Sequence, residues 1–133
     1  MIVDTSAVIA ILKNEPEAEA FSDVIDAAKE VRISAASYLE SKIVVSKYKN
    51  PVLAARLGEI FENPGVQIEP VTVEQAEIAW QAYRDYGKGS GHAANLNFGD
   101  CFSYALARVK REPILFKGDD FGHTDLRSAM EEQ

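Results

Sequence analysis

The sequence predicts an α/β fold in which a short, central parallel sheet is covered by helices, in one domain spanning residues 1–133. Three observations lead there. Brief apolar runs, "MIVD", "VRIS", "VQIEPV" and "PILF", are too short for helices and stand between stretches whose apolar residues recur at helical spacing. That alternation is the pattern of parallel strands buried beneath helices. With 133 residues, 47% hydrophobic and 26% charged, the chain has the composition of a globular domain and enough length to bury a core.

Taken in order, "MIVD" is the first strand and "TSAVIAILK" a helix opening at Thr5 or Ser6 as its cap, stopped near "NEPE". Pro16 begins a second helix, "PEAEAFSDVIDAAKE", with Ala18, Phe21, Val24, Ile25 and Ala28 on one face. "VRIS" is the second strand. It runs into "SAASYLESKIVVSKYK", a third helix capped by Ser34 or Ser37, which forms a hairpin with "PVLAARLGEIFEN". "VQIEPV" is the third strand, and "TVEQAEIAWQAYRDYG" a helix with the reciprocal capping signature Thr72 to Gln75 and a stop at Gly87. "KGSGHAANL" is a loop. Asn97 opens "NFGDCFSYALARVKR", apolar on most sides and so expected to be buried; then come the strand "PILF", the turn "KGDDFG" and a polar tail. No internal repeat, linker or low-complexity segment interrupts the chain.

The totals exclude several classes. No run approaches the ~18 apolar residues of a membrane span, and the N-terminus lacks the features of a secretory signal, so a cytoplasmic location is expected. One cysteine, Cys101, and two histidines, His92 and His123, make no zinc cluster, so any metal site must use oxygen ligands. A net charge of −7 has the wrong sign for binding nucleic acid through bulk electrostatics. Either the partner is no polyanion or the acid is concentrated in one place.

Several acids stand where the pattern calls for something else: Asp4 at the end of the first strand, Glu40 inside the third helix, Asp100 in the first turn of the buried helix, and Asp119 with Asp120 after the last strand. Each has an ordinary structural role open to it. Asp4 can cap a helix, Ser37 and Glu40 match a capping box, Asp100 suits the helix dipole, and Asp119 and Asp120 suit a turn. Glu40 is the most informative, because Ala36, Ile43 and Val44 place it on an apolar stripe. Ligands of open parallel sheets bind at the carboxyl ends of strands, where Asp4 and the Asp119/Asp120 pair would both lie. Two charges ~5 Å apart repel by about 3 kcal/mol at an effective dielectric of ~20, a serious cost for a domain stable by ~5–15 kcal/mol. A divalent cation relieves it while leaving the acids ionised; carboxylate oxygens favour magnesium or manganese, and the chemistry indicated is phosphodiester hydrolysis by metal-activated water.

"IVDTSA", "SAASYLE", "LNFGDCFSYALA" and "PILFKGDDF" resemble, in order and spacing across the whole chain, the PIN-domain ribonuclease toxins of VapBC toxin–antitoxin systems. The resemblance implies a PIN-like α/β/α sandwich, a magnesium- or manganese-dependent endoribonuclease, a homodimer, and a VapB-type antitoxin that blocks the site. Carried over by position, it makes Asp4, Glu40 and Asp100 the first three acids of the site and Asp119 or Asp120 the fourth, with Asp120 favoured. Asp4 and Asp100 are then direct metal ligands, and Glu40 and the Asp119/Asp120 pair complete the shell. Thr5 and Ser6 are supporting residues under this reading and helix caps under the plain one. The loop departs from the commonest family pattern, with Ala93 where proline is frequent.

RNA contacts have to come from local basic groups. Lys88, His92 and Lys117 flank the expected mouth, while Lys42, Lys47, Lys49, Arg56, Arg84, Arg108, Lys110 and Arg111 read mainly as solvated helix faces. The same acidic mouth suits an arginine or lysine of an antitoxin. Cys101 reads as a small core residue. Two other readings compete. A haloacid dehalogenase-like phosphatase also places an aspartate after its first strand, but it needs a second two residues on, where this chain has Ser6. A non-catalytic acidic binding module would use the acids only as a negative face.

Overall fold

The chain is described here as a computed structural model covering residues 1–132. Its strands are β1 (Ile2–Val3), β2 (Val31–Ser34), β3 (Val66–Glu69) and β4 (Ile114–Leu115). Its α-helices are α1 (Thr5–Leu12), α2 (Ala18–Ala27), α3 (Ala35–Lys47), α4 (Pro51–Glu62), α5 (Val73–Tyr86) and α6 (Phe98–Lys110). The strands form one parallel sheet in the order β3-β2-β1-β4, with Ile2 beside Arg32 and Ile114, and Val3 beside Leu115. Among the described residues, no helix is long and apolar enough to cross a membrane.

Two apolar layers sandwich the sheet because successive strand residues point to opposite faces. Val3 and Leu115 join Val8, Leu12, Phe21, Ile33 and Leu57 under α1, α2 and α4. Their neighbours Ile2 and Ile114 join Ala82, Leu96, Tyr104, Leu106 and Phe121 under α5 and α6. Ile2, Leu96, Leu106, Ile114 and Leu115 are wholly buried.

Several local expectations change. Thr5 and Ser6 do not cap α1: Asp4 does, its carboxylate accepting from Ser6 N at 3.0 Å, which leaves Thr5 as the first helical residue. Helix α2 begins at Ala18, not Pro16, and its last residue is Ala27, because Ala28 turns extended toward β2. Ser34, and not Ser37, caps α3. Thr72 caps α5 by accepting from Gln75 N, yet the Gln75 amide donates to Pro70 O and does not return to the cap. The polar tail is part of the sheet layer: Ile114 N donates to Arg127 O at 3.0 Å, Ser128 bridges to Ile114, and Ala129 is buried. It thereby covers the β4 edge, which would otherwise offer unpaired backbone to other chains.

One polar cluster ties the sheet together. Arg32 on β2 donates to Glu69 on β3 at 2.7 Å and to Glu112, ahead of β4, at 3.0 Å, and it also pairs with Glu30. Burial works to raise the Glu112 carboxyl, but hydrogen bonds from the Met1 ammonium and from Arg32 outweigh it and hold the group below its ordinary value.

Candidate active site

Parallel strands place their carboxyl ends on one rim, and the residues that leave those ends carry the acids. Asp4 follows β1 directly, its backbone N–H donating to Leu115 O of the adjacent β4 at 3.0 Å. Ser34 ends β2 and caps α3, which carries Glu40. Asp100 sits in the first turn of α6, where Asn97 N donates to its Oδ2 at 3.0 Å and its own N–H donates to Asn97 Oδ1 at 2.8 Å. Capping and clustering therefore coexist in both aspartates.

Asp4 is 4% exposed, which requires that its charge be satisfied. Oδ1 accepts from Ser103 Oγ at 2.5 Å and Oδ2 from Ser6 N. Asp100 is pushed up to about 7, first by burial and then by the charges of Asp4 and Asp120 and the close approach of the Asp120 carboxyl, against the lowering hydrogen bond from Asn97. Asp4, Asp100 and Asp120 thus share one electrostatic site. Asp119 and Asp120 are both exposed, and the Asp119 carbonyl accepts from Gly122 N in the turn.

Glu40 enters from another direction than its sequence neighbours imply. The apolar stripe beside it is turned inward only in part: Ala36 and Val44 are half-buried and Ile43 is 47% exposed, while the buried face of α3 is Ser37, Ser41 and Val45. Serine is small enough to let α3 approach α1 and α6 closely, and each hydroxyl finds a partner inside, Ser41 Oγ donating to Ser37 O at 2.8 Å. The Ser37–Glu40 capping box does not form, because Ser37 lies within the helix and its hydroxyl meets Ser103 Oγ at 3.1 Å. Glu40 instead lies against Gly99, next to Asp100: a Cβ on Gly99 would stand 2.5 Å from Glu40 Oε2. We expect Gly99→Ala to leave stability unchanged or to raise it by up to about 1 kcal/mol, since alanine is the better helix former. The same variant should lower catalytic turnover, because Glu40 must swing aside. Unaltered turnover would sink the assignment of Glu40 to the site.

The other residues singled out from sequence fall as follows. Thr5 Oγ1 donates to Ser37 O at 3.2 Å, joining α1 to α3. Ser6 Oγ accepts from Lys117 N at 3.0 Å, fastening the segment after β4 to α1. The Lys117 ammonium is engaged by Glu15 and, at 3.5 Å, by Glu17. His92 is exposed; its Nδ1 accepts from Ala94 N at 3.0 Å and its ring packs edge-on against Tyr86. Lys88 is exposed, with its backbone N–H donating to Leu96 O. Cys101 is buried and its thiol is pushed up to about 11, first by burial and then by Asp100, so it is no activated nucleophile. Sequence reasoning missed Ser103 and the inward role of Ser37. A serine amid "CFSYALA" carries no local signal until α6 is docked on β1 and α3.

Among the described residues, no three acidic, histidine or cysteine side chains are already gathered into a coordinating group. The donor set nevertheless suits a hard divalent cation: it is all oxygen, and burial with two like charges makes ionisation of Asp100 costly unless a positive charge compensates it.

Fold and site together define an α/β/α domain with an acidic centre at the carboxyl edge of a parallel sheet. Residues 1–126 match the PIN domain, and the chain belongs to the PIN-domain family, among its VapC ribonucleases. It is 53% identical to Ribonuclease VapC28 of Mycobacterium tuberculosis over 131 residues, 98% of each chain. Ribonuclease VapC42 of the same organism is 46% identical over 129 residues, 97% of this chain and 98% of that one. The fold also matches the crystal structure of Mycobacterium tuberculosis VapC20, described as a sarcin-ricin loop cleaving toxin, with a TM-score of 0.77 at 19% identity over 94% and 95% of the two chains. A toxin–antitoxin complex from Klebsiella pneumoniae matches with a TM-score of 0.71 at 18% identity, covering 93% of this chain and 92% of that one.

Proposed function

We propose that this chain is the toxin of a toxin–antitoxin pair and cleaves RNA phosphodiester bonds endonucleolytically with magnesium or manganese, as one PIN domain spanning residues 1–133. The observation that carries this reading is the grouping of Asp4 and Asp120 around Asp100, with Glu40 packed against the adjoining Gly99. Asp4 and Asp100 would hold the cation, and Asp120 and Glu40 would complete its shell and orient water; Asp120 takes the fourth position over Asp119. Bound there, the metal supplies Lewis-acid polarisation of the phosphate and a water acidified enough to attack it. The chain's own residues hold the Asp4 carboxylate in place through two donors, Ser6 N and Ser103 Oγ. Lys88 and His92, on the exposed loop, are placed to meet the RNA backbone; Lys117 would have to leave Glu15 and Glu17 to do so.

A VapB-type antitoxin would set a lysine or arginine into the acidic mouth. A homodimer is favoured by the exposed apolar face formed by Val73, Trp80 and Tyr83 on α5 with Phe98 on α6, which are 80%, 60%, 40% and 76% exposed.

Purified protein freed of any partner and incubated with total RNA should cleave in manganese or magnesium and not in chelator, and should run as a dimer in light scattering. Equal cleavage in chelator would refute the metal-dependent mechanism. No cleavage in either metal would instead favour the acidic binding module, and a monomer would remove the homodimer.

A further inference from the structure

Asp4 is the most buried acid of the site, and the donor on its Oδ1 comes from a residue 99 positions away, Ser103, itself fully buried. The proton directions follow from chemistry. An ionised carboxylate only accepts, so the Ser103 hydroxyl proton must point to Asp4. Ser103 Oγ is then left as the acceptor in its 3.1 Å contact with Ser37 Oγ, and Ser37 must donate. Ser37 is held in turn by the two hydroxyls that converge on its carbonyl, Thr5 Oγ1 at 3.2 Å and Ser41 Oγ at 2.8 Å. The result is a one-way relay, Ser37 to Ser103 to Asp4, that joins α3 and α6 to the end of β1 in a space with no unsatisfied buried side-chain polar atom among the described residues.

We propose that Ser103, backed by Ser37, is a positioning residue for Asp4: the relay locks the carboxylate rotamer and leaves the remaining lone pairs of Asp4 directed for a cation. This rests on the reading of Asp4 as a metal ligand. Groups that hydrogen-bond a ligating carboxylate set its orientation and basicity, and their loss typically weakens metal affinity 10–100-fold. Ser103 touches neither substrate nor metal in this scheme; it acts through Asp4 alone.

The test is manganese binding by the full chain without RNA, read as loss of the free-ion paramagnetic resonance signal, for wild type, Ser103→Ala, Ser37→Ala, their double variant and Ser41→Ala. Ser103→Ala should raise the manganese Kd about 10–100-fold. Ser37→Ala should raise it less, and the double variant should be no weaker than Ser103→Ala, because Ser37 reaches Asp4 only through Ser103. Ser41→Ala removes an equally buried hydroxyl that bonds only the Ser37 carbonyl and stands outside the hydroxyl chain from Ser37 through Ser103 to Asp4, so its Kd should stay closer to wild type than that of Ser37→Ala.

A folded Ser103→Ala with wild-type Kd overturns the relay while leaving the metal reading intact. So does a Ser41→Ala as weak as Ser103→Ala, which would mean general loosening. If Ser103→Ala does not fold, Ser37→Ala decides: weakened binding supports the relay and an unchanged Kd overturns it. Absence of manganese binding by wild type would overturn the metal reading and the relay with it.

Discussion

Asp4→Asn is expected to lower metal-dependent RNA cleavage about a thousandfold, the rate equivalent of about 4 kcal/mol of lost transition-state stabilisation, while the protein stays folded. Asparagine is as good a helix cap as aspartate, so the bond from Ser6 N to the side chain at position 4 survives. The amide has one acceptor oxygen where the carboxylate has two. If that oxygen keeps Ser6, the amide nitrogen faces Ser103 Oγ, and the hydrogen bond recorded there cannot form with its present polarity. The stability cost should be about 1–2 kcal/mol, measurable by urea unfolding. Full activity in this variant would remove Asp4 from the catalytic centre. Inactivity caused only by unfolding would show as loss of the cooperative transition.

Asp100→Asn is expected to separate stability from function in the opposite direction. Asp100 is pushed up from 3.8 to about 7, so the folded state keeps a proton that the unfolded chain releases between those values. Stability from this group is therefore fully present below about pH 4, declines as pH rises, and is lost above about pH 7. Solvent still reaches the carboxylate and screens the effect, which leaves about 1–2 kcal/mol. Asparagine carries no charge to repel Asp4 and Asp120 and can still accept from Asn97 N. In chelator at pH 8 the variant should be more stable than wild type by that amount, with no difference at pH 4. Saturating manganese should reverse the order: at 100 times Kd it stabilises the wild type by about 2.7 kcal/mol, and it should leave the variant nearly unmoved. Equal manganese stabilisation of both proteins would remove Asp100 from the ligand set.

Helix α3 departs from its local sequence pattern. Ala36, Ile43 and Val44 give Glu40 apolar neighbours in sequence, yet Ile43 faces solvent and the helix buries serines. Glu40 comes to lie beside Asp100 although the stripe around it, with Ala36 and Val44 only half-buried, is not the buried face of the helix. Hydrophobicity ranks faces by what they cost to expose, but close helix packing also selects for small side chains whose hydroxyls are satisfied within the fold. The cap of α1 falls to Asp4 and not to Thr5 or Ser6 for a related reason: all three have capping chemistry, and only the path of the chain leaving β1 decides which of them stands at the helix start.

By itself the sequence determined the order of strands and helices, the parallel α/β class, the absence of a cysteine–histidine metal cluster and the acids worth attention, because periodicity, turn chemistry and composition act between near neighbours in the chain. The tertiary structure alone decided that Asp120 comes close enough to act on Asp100, that Glu40 rests on Gly99, and that Ser103 and Ser37 stand behind Asp4. Those relations join residues far apart in sequence, and they exist only once β1, α3 and α6 are packed close enough for a hydroxyl to reach a carboxylate.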